Sequence, residues 1–158
     1  MEYDHLIIDG YNLLHQDDAM EGHRDDLQTA RQRLVRKVEP VALDMASRVT
    51  IVFDGRESGA DASLSGAHLE VVFSPSNRTA DAVIERMASD SKNPERICVV
   101  TSDRVEEQIV SAAGAMVLSC EEFVRRYDAT NGAAVSQRGS MREKSGSTLA
   151  DFFPKSAE

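Results

Sequence analysis

The sequence predicts a three-layer α/β/α sandwich built on a central, mainly parallel five-stranded sheet. Three observations carry that prediction. Short runs such as Leu6-Ile7-Ile8 and Ile97-Cys98-Val99-Val100 are apolar at every position, as strands covered on both faces are. The stretches between them place apolar residues three and four apart, the period of a helix with one buried face. Strand after strand also ends at an acid, at Asp9, Asp54 and Asp103.

Taken in order, Leu6-Ile7-Ile8 is the first strand and breaks at Asp9-Gly10. Leu27, Ala30, Leu34, Val38, Val41 and Met45 then mark one long helix or two, with Pro40 expected to kink or break it. Val49-Thr50-Ile51-Val52-Phe53, rich in β-branched residues, is the second strand and ends at Asp54-Gly55. A polar loop over 56–67 leads into a third strand over 68–73 and a turn at Ser74-Pro75-Ser76-Asn77. Thr79 suits the N-cap of the next helix, whose buried stripe is Ala80, Val83, Ile84, Met87 and Ala88. Asp81 and Glu85, four apart, project from one side of that helix. The fourth strand, over 96–101, ends at Ser102-Asp103. A helix over 104–113 stops at Gly114, and 115–118 gives a short fifth strand before a last helix over 121–127. From 129 the composition turns to Asn, Gly, Ser, Gln and charges. Residues 1–128 therefore read as one domain, and 129–158 as a flexible C-terminal tail with a short apolar segment at 148–154.

At 158 residues a single domain can bury an ordinary core without disulfide or metal staples. The 41% hydrophobic and 28% charged fractions are those of a soluble protein. No apolar run approaches the roughly 18 residues of a membrane span. Glu2 and Asp4 stand where a signal peptide would place basic residues, so the expected location is the cytoplasm. Cys98 and Cys120 match no metal-ligand spacing, and Cys98 reads as a buried thiol. A net charge of -9 argues against a protein that holds nucleic acid by a broad basic face, so any such contact must be local. The same surplus suits a chain that concentrates carboxylates around a metal, or an ordinary acidic protein.

Each acid has an ordinary explanation when taken alone. Asp9-Gly10 and Asp54-Gly55 are common turn dipeptides, Asp103 with Glu106 resembles a capping box, and Asp81 suits the positive end of a helix dipole. The set is harder to explain that way, because a parallel sheet brings all four to one edge. Like charges about 5 Å apart repel by roughly 3 kcal/mol per pair at an effective dielectric of about 20. The cluster must then hold a cation or keep some members protonated. Oxygen donors without His or Cys select Mg²⁺ or Mn²⁺, and such a site can activate water and stabilise charge developing on a phosphodiester. Arg56, Arg78 and Arg104 lie beside the acids and either grip phosphates flanking a scissile bond or screen the carboxylates from one another. Asn12 and Tyr11 follow Asp9 closely enough to bond a metal-bound water or stack a base, with core packing as the other use of Tyr11. His15 and His68 receive no role.

Ile7-Ile8-Asp9-Gly10-Tyr11-Asn12, Val52-Phe53-Asp54-Gly55, Val72-Phe73-Ser74, Thr79-Ala80-Asp81 with Glu85, and Val100-Thr101-Ser102-Asp103 together resemble the YacP-like branch of NYN domains, which are PIN-like ribonucleases. The likeness runs over about 5–127. It implies a PIN-like sheet, a divalent-metal site and endonucleolytic hydrolysis of RNA. On matching positions it implies that Asp9, Asp81 and Asp103 hold the metal, with Glu85 as a further candidate. Asp54 would complete the acidic cluster, and Asn12 would orient it. Some members act on messenger RNA at the ribosome, which makes RNA the implied partner and the ribosome a further candidate; the oligomeric state is left open.

Rival functions are weaker. A phosphatase of the haloacid dehalogenase type needs a second Asp where this chain has Tyr11, and no G-x-G-x-x-G loop follows any strand to bind a dinucleotide. The serious alternative is a non-catalytic RNA-binding or interaction domain with the same fold.

Overall fold

A computed structural model describes residues 2–17, 26–55, 65–66 and 68–132. β1 (Tyr3–Asp9), β2 (Ala46–Phe53), β3 (Leu69–Phe73), β4 (Ile97–Val100) and β5 (Met116–Leu118) make one sheet in the order β3-β2-β1-β4-β5. Every neighbouring pair is parallel, so the sheet is wholly rather than mainly so. Ile8 of β1 sits between Ile51 of β2 and Val100 of β4.

The all-apolar strands serve two cores at once. Leu6 and Ile8 join Ile51, Phe53, Cys98 and Val100 on one face, while Ile7 joins Val52 and Val99 on the other. Helices α1 (Gly10–Gln16), α2 (Leu27–Met45) and a last helix, α5, over 120–132 cover the first face. α3 (Ala80–Ser89) and α4 (Arg104–Ala112) cover the second. Leu6, Ile7 and Ile8 are fully buried, each worth roughly 2 kcal/mol of transfer free energy, which explains why this run anchors the centre of the sheet.

Three local expectations change. α2 continues unbroken through Pro40. The carbonyl that Pro40 cannot satisfy belongs to Arg36, and both residues are exposed, so water can take that acceptor. Val38, Val41 and Ala42 hold the buried face on either side. Asp9-Gly10 is not a turn: Asp9 caps α1, and its side chain accepts from the Asn12 N–H. A Cβ at Gly10 would collide with the Phe53 ring, so the glycine lets helix and sheet approach closely. The last helix outruns its expected end at 127 and continues to 132. Most of the 56–67 loop, and the tail from 133 including the apolar segment at 148–154, lie outside the described residues.

In the order β3-β2-β1-β4-β5, the chain leaves β1 towards β2 on one side and leaves β4 towards β5 on the other, so the connections after these two neighbours diverge at their carboxyl ends. That divergence opens a crevice at the switch point, where Asp9 ends β1 and Asp103 follows β4.

Candidate active site

The crevice holds about 220 Å³ and is lined by Asp9, Tyr11, Asn12, His15, Asp54, Thr79, Ala80, Asp81 and Asp103. Four acids from four segments thus share one wall-to-wall space. Thr79 caps α3 through the Ala82 N–H at 3.1 Å, which starts the helix so that Asp81 falls in its first turn. Asp103 caps α4, its Oδ1 accepting from the Val105 and Glu106 N–H groups at 2.9 and 3.2 Å. Ser74 donates to Asp54 at 3.5 Å from the end of β3.

The innermost acid is one that sequence reading treated only as a cap partner. Oxygens of Asp9, Asp81 and Glu106 lie within 4.8 Å of one another. Glu106 does not close a capping box. Its Oε1 accepts from the Thr101 hydroxyl at 2.6 Å, while the Asp103 N–H that a box would engage donates to Thr101 Oγ1 at 3.1 Å. Glu106 Oε2 is buried and accepts from no donor among the described residues. Burial, then the neighbouring Asp9 charge, pushes the Glu106 carboxyl up to about 9. Burial also lifts Asp9 to about 6, opposed by the Glu106 carboxyl beside it. A signal for Glu106 existed in the sequence: it occupies the same helix face as Val110, an acid in the core-facing stripe of α4.

Burial raises Asp81 as well, with the Asp103 and Asp54 charges adding to it. Glu85, one turn further along α3, is raised by burial and by the Asp81 and Asp103 charges, but it does not line the crevice. The place nearest Asp9 and Asp81 is taken by Glu106 instead. Carboxylates crowded this closely, two of them buried and one with an oxygen that no donor among the described residues reaches, fit a hard divalent cation with oxygen donors.

The charges acting on Asp9 and Asp81 are other carboxylates, not arginines. Arg78 and Arg104 are exposed, next in sequence to Thr79 and Asp103 of the crevice lining. Arg56 lies outside the described residues. Tyr11 is buried with its ring 4.9 Å from Phe53, and its hydroxyl accepts from Arg31 at 2.8 Å, so packing is its observed use. Asn12 Oδ1 accepts from the Ser102 N–H at 2.7 Å and from the Cys120 thiol at 3.1 Å. Two converging donors identify that atom as oxygen. His15 is exposed at the rim, and His68 precedes β3 at the other end of the sheet.

A family model described as the YacP-like NYN domain matches residues 6–157, which extends the likeness well past 127. An uncharacterized protein YacP of Bacillus subtilis is 30% identical over 128 residues, 79% of this chain and 75% of that protein. The crystal structure of Rae1 (YacP) from Bacillus subtilis superposes with a TM-score of 0.69 at 28% identity, covering 93% of this chain and 87% of that one. A point mutant of the same protein gives 0.67 at 26% identity, over 95% and 86%.

Proposed function

This chain belongs to the YacP-like NYN domain family, with its PIN-like nuclease-domain fold, and on that footing we propose that it is a divalent-metal-dependent endoribonuclease. The observation that carries the reading is the set of oxygens from Asp9, Asp81 and Glu106 within 4.8 Å at the switch point of a parallel sheet, with Asp54 and Asp103 around the same crevice.

Asp9, Asp81 and Glu106 would hold Mg²⁺ or Mn²⁺, with Asp103 at the mouth and Glu85 as an outer carboxylate. When bound, the cation supplies positive charge for the scissile phosphate and acidity for the attacking water. The chain's own groups do the rest. Glu106, whose carboxyl burial pushes up to about 9, would release its proton for the site to load. Asp54 and Asp103, which line the same crevice, would accept a proton from the attacking water. Asn12 spends its oxygen on Ser102 and Cys120, which leaves its amide N–H groups for a phosphate oxygen or the water in the crevice it lines. Arg78 and Arg104 take phosphates on either side of the cut, as Arg56 would from the loop after Asp54.

The deciding experiment is cleavage of end-labelled single-stranded and hairpin RNA with Mn²⁺ or Mg²⁺, for wild type, Asp9→Asn and Asp81→Asn, with and without translating ribosomes. Metal-dependent cuts lost in both variants are expected. Cuts seen only with ribosomes would place substrate presentation with that partner. A folded protein that binds RNA but cuts nothing under any condition would return the reading to a non-catalytic RNA-binding domain.

A further inference from the structure

Two groups that the proposed reaction does not use meet at one oxygen. Asn12 Oδ1 takes the Ser102 N–H at 2.7 Å and the Cys120 thiol at 3.1 Å, and Ser102 Oγ accepts from the Cys120 N–H at 2.9 Å. Asn12, Ser102 and Cys120 therefore close a ring across α1, the loop after β4 and the start of the last helix. The ring adjoins the acids on both sides. The Asn12 N–H donates to Asp9 Oδ1 at 3.3 Å. Ser102 lies between Asp103 and Thr101, the residue whose hydroxyl donates to Glu106 at 2.6 Å.

We propose that Cys120 is a positioning residue of the site, its thiol acting through Asn12 and Ser102 to fix the loop that carries Asp103, and with it the start of α4 that carries Glu106, against Asp9. The proposal rests on reading the crevice as a metal-dependent site. It competes with a plain alternative, that Cys120 is a small apolar filler of the core, where it is fully buried.

The two roles order the same substitutions oppositely. A filler prefers Cys120→Ala, which stays apolar, over Cys120→Ser, which buries a hydroxyl. A positioning donor prefers Cys120→Ser, which keeps a donor aimed at Asn12, over Cys120→Ala. Three readings are taken on each variant: the Mn²⁺ midpoint of the rise in Tm, kcat and KM for RNA cleavage, and hydrogen exchange of the 101–106 amides. With Cys120→Ala we expect the Mn²⁺ midpoint to rise and kcat to fall by about fivefold, the size of one lost hydrogen bond, with KM unchanged. Exchange over 101–106 quickens, and Cys120→Ser restores all three. Ser102→Ala, which opens the ring on its other side, moves them the same way. Cys120→Ala at wild-type level with Cys120→Ser impaired overturns the proposal. If the wild type binds Mn²⁺ but cuts no RNA, the nuclease reading fails while the Mn²⁺ series still decides the ring. If it binds no Mn²⁺, hydrogen exchange decides, and unchanged exchange in Cys120→Ala overturns the ring as well.

Discussion

Glu106 and His5 set opposite limits on the stability of the metal-free protein. Glu106 is held up at about 9 and Asp9 at about 6, both by burial first, so the unfolded chain loses these protons before the fold does. Their contribution is therefore complete below the usual carboxylate range and falls as pH rises from about 4 towards 9. Burial, helped by the Arg48 charge, lowers His5 to about 4, and its Nε2 pairs with the Thr50 hydroxyl at 2.8 Å. The unfolded chain takes up that proton first, so stability is present above about 6.5 and is lost as pH falls towards 4. A Tm–pH curve without metal should peak between these limits. Glu106→Gln, which keeps the shape and a neutral donor, should flatten its alkaline side without lowering the peak. The same variant should weaken Mn²⁺ stabilisation by about tenfold or more, because a buried ligand charge is gone. A wild-type Mn²⁺ response with Glu106→Gln would remove Glu106 from the site. Adding metal to the wild type should raise Tm more at pH 8 than at pH 5, since the cation replaces protons. Glu106 also marks where sequence reading stopped short. Its spacing from Asp103 matches a capping box, and only the fold shows its side chain turned inward.

At the scale of elements, two helices lend themselves to measurement. α2 accommodates Pro40 because the unsatisfied carbonyl is on the wet side. Pro40→Ala should then stabilise by about 1–2 kcal/mol, the gain of a backbone bond less the entropy that proline removes from the unfolded chain. Urea denaturation reads this directly, and a loss of stability would show that α2 needs its proline. The last helix is pinned by Tyr127, whose hydroxyl bonds the buried Asp17 carboxylate, while Lys37 reaches the same carboxylate at 3.0 Å. Tyr127→Phe keeps the ring and strips one partner from a buried charge, so a cost of about 1–3 kcal/mol is expected in the same measurement. A variant as stable as wild type would mean that Asp17 is satisfied without the Tyr127 hydroxyl. Element types were readable from period, and most boundaries fell within a few residues. The exceptions were α1, which was not expected after Asp9-Gly10, the helix continuing through Pro40, and the end of the last helix.

For the molecule as a whole, a net charge of -9 must coexist with a polyanionic substrate. The proposed solution is local: a few arginines at the crevice, not a basic face. RNA affinity should therefore fall gently with salt, with a log–log slope of roughly -2 for three phosphates at about 0.7 each. Arg104→Glu should weaken binding across sequences and reduce that slope. A slope steeper than about -5 would indicate a far larger contact than the crevice provides.

The sequence by itself determined the strands, most helices, the layered parallel sheet and the edge at which the acids gather. Apolar runs, helical periods and strand-end acids depend on each residue and its near neighbours, and burial on both faces of a sheet leaves few ways to arrange them. Tertiary structure alone decided that Glu106 rather than Glu85 sits nearest Asp9 and Asp81, that Tyr11 is packed against Phe53, and that Cys120 meets Asn12. Those outcomes depend on which distant segments share one dry volume, where an unpaired carboxylate must find a proton or a cation.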